Sequence, residues 1–159
     1  MAGMEDVRFL DLVPHLHSAR LHVRCWFLEP AGVLTKVDAG APVTAAVAKY
    51  ISEHVYTVMR AHFPLVGRFI YVHDFSAASS YEPRAREIFT EWALRLSGQI
   101  SRAFLIMPAS NTLFRMGINT AAMMLRDDGI PIEIVRSLDE ARSRCAFMPC
   151  IDSSPQSSG

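Results

Sequence analysis

His73 and Asp74 stand side by side at the end of the apolar run Phe69-Ile70-Tyr71-Val72. A histidine next to a carboxylate is a pairing used in general acid–base chemistry. Adjacent residues of a strand point to opposite faces, however, so the two are not expected to work as a dyad. The expectation is an aspartate that accepts N–H bonds from the following loop, with the histidine partly buried beside it. Ser76, Ser79 and Ser80 follow in that loop. Hydroxyls there can cradle an anion at a helix N-terminus, or can serve as turn and cap residues. The second reading is favoured, because neither the dinucleotide nor the P-loop glycine spacing occurs.

His15, His17 and His22 cluster near the start of the chain, with Asp11 and Cys25 close in sequence. Metal sites add a carboxylate or cysteine at defined spacing, and no such pattern results. Cys145 and Cys150 lack the second pair that a zinc site needs. The nucleophile elbow Gly-x-Ser-x-Gly and the helix His-Glu-x-x-His are also missing. These residues predict no catalytic group, no metal and no cofactor, and so a non-enzymatic binding module.

Composition narrows the class further. A chain of 159 residues suits one domain. Half of it is hydrophobic and a fifth charged, as in ordinary globular proteins. The formal net charge is zero. That argues against nucleic acid as a partner and against general attraction to anionic membranes. A neutral, apolar chain has little to repel a second copy, so a homodimer is expected. Three cysteines do not suit a disulfide scaffold. No apolar run reaches membrane-spanning length, and no stretch reads as a signal peptide. The expected location is cytoplasmic, without membrane insertion.

The elements that must position these residues follow from periodicity. Residues 21–28 alternate as a strand, Glu29-Pro30-Ala31-Gly32 is a turn, and residues 33–38 resume. Together they read as an antiparallel hairpin. Thr44 caps a helix whose apolar stripe runs Val47, Ile51, Val55, Val58, Met59, His62. The run 69–72 reads as a buried strand. A helix starts near Pro83, Ala103–Met107 is another buried strand, and Ser110 or Asn111 caps a third helix that stops at Asp127-Asp128-Gly129. Pro131 marks residues 130–135 as an edge strand. Ser137 and Glu140 have capping-box spacing before a short last helix. The predicted fold is α/β: one mixed sheet, an N-terminal antiparallel hairpin followed by parallel β-α-β-α-β-α units, with helices packed on it. Residues 1–18 are expected as a lead-in, 19–147 as the domain, and 148–159 as a disordered polar tail.

The third helix is apolar on two sides. Leu113, Met116, Gly117, Thr120, Ala121 and Met124 make one stripe, which is expected to pack on the sheet. Phe114, Ile118, Ala122 and Leu125 make a second. One covered face needs only a single stripe. The second is therefore expected either to be an interaction surface or to be covered by a neighbouring segment.

Three phrases of the sequence resemble the STAS domain of anti-sigma-factor antagonists, and more closely the SpoIIAA-like proteins. They are the strand and loop Phe69 to Ser79, the strand-to-helix step Phe104 to Asn111, and the ending Gly129 to Ala141. The resemblance spans Ala41 to Cys145. It implies a non-catalytic SpoIIAA-like fold that binds a protein partner, a nucleotide or a lipid in bacterial signalling. In the antagonists a serine opening the helix after the third strand is phosphorylated. Its place falls near Pro83 or Arg84, where this chain has no hydroxyl. What carries over is a binding surface at the loops, with Asp74, Ser76, Ser79, Ser80, Ser110 and Asn111 as its residues. The alternative expectation is a carrier of a small apolar ligand or lipid, since Sec14-type domains share a similar sheet core.

Overall fold

A computed structural model describes residues 9–108 and 112–151, with Leu10, Leu113 and Phe114 described through their backbone alone. Ser110 and Asn111, expected in the binding loop, lie outside the described residues. Leu16–Ser18 form β1, antiparallel to β2 (Val23–Glu29). β2 turns back into β3 (Gly32–Val37), giving the expected hairpin. The chain then forms the short β4 (Pro42–Val43). β5 (Phe69–Asp74) lies parallel to β3. β6 (Ser80–Tyr81) pairs with β4 to make a separate two-stranded ribbon. β7 (Ile100–Ile106) and β8 (Ile132–Val135) complete the parallel part. The order is β1-β2-β3-β5-β7-β8, with β9 (Met148–Pro149) beside β2. β8 ends the sheet, an edge position that suits Pro131 just before it.

Gly32 marks the place where β3 starts against β5. A Cβ there would collide with the carbonyl oxygen of Ile70. The Ile70 N–H donates to the Ala31 carbonyl at the same point. Only glycine allows two backbones to pass this closely.

Alternate residues of the strands build two cores. On one face lie helix α1 (Ala45–Lys49), a wider π turn (Tyr50–Val55) and α2 (Tyr56–His62) as one continuous rod. α3 (Pro83–Arg95) and α4 (Thr112–Asp127) pack on the same face. Their buried side chains join Phe69, Tyr71 and Ala103 of the sheet. The other face carries α5 (Leu138–Arg144) and the segment around Phe9, over Trp26, Leu34, Val72 and Phe104. Ser137 caps α5 as expected, accepting from the Glu140 N–H at 3.1 Å. Glu140 reaches back one residue further than a standard capping box, to the Arg136 N–H at 2.7 Å. No helix among the described residues is long and apolar enough to cross a membrane.

Both expected domain boundaries shift outward. The stretch 1–18 is not all lead-in: Phe9 is buried against Trp26, whose indole N–H donates to the Leu12 carbonyl at 3.1 Å. At the other end, Met148 and Pro149 pair with β2 and Cys150 is buried. The ordered domain thus runs past 147, because Phe147, Met148 and Cys150 supply apolar surface that a polar tail lacks.

Candidate functional site

α3 is placed by its first turn. Glu82 precedes it, and Pro83 opens it with the φ a helix needs. The Glu82 carboxylate accepts the Ala45 N–H at 2.8 Å, which ties the start of α3 to the start of α1. From there α3 buries Ala85, Ile88 and Trp92 toward the sheet.

The two stripes of α4 are exchanged relative to expectation. Ile118, Ala122 and Leu125 are buried against the sheet and α3. They are core, not an interaction surface, and Phe114 of the same stripe is described by backbone alone. Of the stripe expected inside, Met116 and Met124 lie outside, 60% and 59% exposed, with Met123 beside them at 59%, while Ala121 lines the inner wall. The physical reason is shape: the branched residues at 118 and 125, with the small Ala122 between them, fit over β8 and α3. Unbranched methionines tolerate the wet side.

A cavity of about 70 Å³ lies between β5, β7 and β8 below and α3 and α4 above. Its walls are apolar and aromatic, with Phe89, Leu105 and Ile118 among them. Three of its lining residues carry polar atoms: the Tyr71 hydroxyl, His73 Nδ1 and Trp92 Nε1. All three are buried and have no hydrogen-bond partner among the described residues. The residues themselves are only 3%, 7% and 6% exposed. An unpartnered buried donor costs about 1–3 kcal/mol, and such groups are rare enough in native proteins to call for a reason.

The rings around the cavity form one aromatic cluster. Tyr71 meets Trp92 edge-on with centroids 5.3 Å apart, and His73 stacks on Phe75 at 5.6 Å. Burial lowers the His73 pKa to about 4, so the imidazole is neutral at pH 7. A neutral imidazole offers one donor and one acceptor. Burial also raises the Tyr71 and Tyr81 hydroxyls, which stay protonated.

Asp74 points away from this cluster, to the other face of the sheet. It accepts from Lys36 Nζ at 3.1 Å across β3 and β5. It also accepts the Ser76 N–H at 3.0 Å and the Ser76 hydroxyl. His73 and Asp74 therefore form no dyad, and Asp74 serves the loop as the sequence suggests. Ser79 and Ser80 are exposed, and their backbones are held in place. The Ser79 N–H donates to the Ala41 carbonyl, and Ser80 belongs to the β4–β6 ribbon.

The N-terminal histidines are separate. His15 accepts the Phe27 N–H at 3.0 Å and stacks on the Phe27 ring. His22 sits at positive φ, and its carbonyl accepts the Asp38 N–H. Among the described residues no three potential metal ligands come together. The Cys25 thiol is pushed up to about 12 by burial, so it is no ready nucleophile.

No family model, curated protein or solved structure matches this chain. The site therefore rests on geometry. Sequence reading missed Tyr71 and Trp92, which look like core aromatics, and Arg86, which looks like a solvated helix charge. The usable signal was the trio of polar-tipped side chains, Tyr71, His73 and Trp92, on otherwise apolar elements.

Proposed function

We propose that this domain is a non-catalytic binding module whose cavity takes a small, mostly apolar molecule with hydrogen-bonding groups. The observation that carries the reading is that Tyr71, His73 and Trp92, each with a buried polar atom unpartnered among the described residues, line one apolar cavity. Ligand pockets are typically apolar surfaces with a few placed polar groups. The separation of His73 from Asp74 on opposite faces supports binding over acid–base chemistry. The size supports a small molecule over a lipid: an apolar cavity of about 150 Å³ holds benzene, and this one is about 70 Å³. With the STAS-type resemblance, we place the domain in cytoplasmic bacterial signalling, where ligand occupancy would alter contacts with a protein partner.

Saturation-transfer NMR with 2-propanol and acetone, both smaller than benzene, tests the binding reading. Signal is expected with the wild type and not with Ala121→Leu, which puts added bulk on the cavity wall. A wild type that binds neither compound, or a variant that binds both unchanged, removes the reading.

A second reading is self-association as a homodimer. It is favoured by Met116, Met123 and Met124, three large apolar side chains exposed on one helix.

A further inference from the structure

Arg86 borders both the cavity and a groove on the outer side of the α3–α4 seam. Thr90 and Ala121 border both as well, so the seam is the shared wall between inside and outside. The guanidinium lies on the backbone of α4: a Cβ added at Gly117 would collide with Arg86 Nη1. A glycine inside a helix costs about 1 kcal/mol relative to alanine. Here it leaves room for the arginine head.

That head is half-buried and makes no ion pair or side-chain hydrogen bond among the described residues. Half-buried Arg24 and Arg102 differ, since they pair with Asp38 and Glu133 at 2.9 and 3.1 Å. Two carboxylates share the outer groove. Glu87 is taken by Arg84 at 3.1 Å, and Glu91 is exposed; neither pairs with Arg86. A partly desolvated, unpartnered guanidinium presents a planar fork that fits a carboxylate with two parallel bonds. Behind it lies the apolar cavity with its deep polar atoms.

We propose that the ligand is a small carboxylic acid. Its carboxylate sits on Arg86 at the α3–α4 seam, its apolar body enters the cavity, and a distal oxygen reaches Tyr71 and Trp92. This rests on the cavity being a ligand site. Tyr71 and Trp92 can both donate, so the distal group is an acceptor such as a hydroxyl or carbonyl oxygen.

Calorimetric titration of the full chain with 4-hydroxybutyrate, 4-hydroxybutyramide and inorganic phosphate tests this. The acid should bind about ten-fold more tightly than the amide, the value of one charge-assisted contact. Arg86→Met keeps the apolar stem and should bring the two to parity. Gly117→Ala displaces the guanidinium without removing it and should narrow the preference in the same direction, which keeps the test open if Arg86→Met does not fold. Equal binding of acid and amide by the wild type overturns the carboxylate proposal and leaves the cavity reading standing. A preference that survives both variants, or phosphate bound as tightly as the acid, also overturns it. Binding of neither organic probe removes the cavity reading and this proposal together.

Discussion

The Tyr71 ring meets Trp92 at an interplanar angle of 82°, and the two contribute two of the three unpartnered polar atoms at the cavity. Tyr71→Phe keeps the edge-to-face contact and removes one stranded hydroxyl. In ligand-free protein it is expected to stabilise by about 1 kcal/mol. That is about 2–4 °C in Tm for a chain of this size. A calorimetric melt checks it, and a lower Tm would mean that the hydroxyl is already well solvated.

His73 predicts a pH dependence. Its pKa falls from 6.5 to about 4 on folding, so between those values the unfolded chain binds more protons. Stability is then fully present above pH 6.5, declines as pH falls toward 4, and levels below it. The loss amounts to at most about 3 kcal/mol. Urea titrations of the wild type and His73→Phe at several pH values measure it. The variant should have a shallower slope, and parallel slopes would assign the acid sensitivity to other groups.

Gly32 should tolerate no side chain. Gly32→Ala drives a methyl into the Ile70 carbonyl, which belongs to a backbone that cannot swing aside. The expected cost is about 3 kcal/mol, at the upper end of overpacking, read from the shift in urea midpoint.

Gly117→Ala should act in the opposite sense. The atom in the way is the far end of a flexible arginine, so the helix gains about 1 kcal/mol from the better helix former. A stability gain together with a weaker preference for acid over amide would separate folding from binding at one position.

The methionine face predicts a mass. If it self-associates, light scattering finds a dimer for the wild type and a folded monomer for Met116→Glu with Met123→Glu. A wild-type monomer ends the homodimer reading.

Much of this architecture was legible. The alternation at 21–28 and 33–38, the apolar runs at 69–72 and 103–107, and Pro131 marked the hairpin, the central strands and the edge. The two- and three-residue strands β1, β4, β6 and β9 were not, because periodicity needs more residues than they contain. The exposed stripe of α4 was misassigned because both stripes are apolar, and only the shapes of α3 and β8 decide which one fits. The π turn at Tyr50–Val55 leaves no mark in the helical pattern. The site was half visible. His73 stood out as chemistry, but its partners Tyr71 and Trp92 come from different elements and meet only after folding.

β1 and β9 share one edge of β2: Leu16 stands opposite Cys25, and Pro149 opposite Leu28. The chain thus enters and leaves the sheet within three β2 residues, about 10 Å along the strand. A short linker joining the two ends, with new termini opened at the exposed Leu65 turn, would yield a circular permutant that retains the sheet's strand pairings. The same geometry suits the domain to insertion within a host protein, which it could enter and leave at nearly one point.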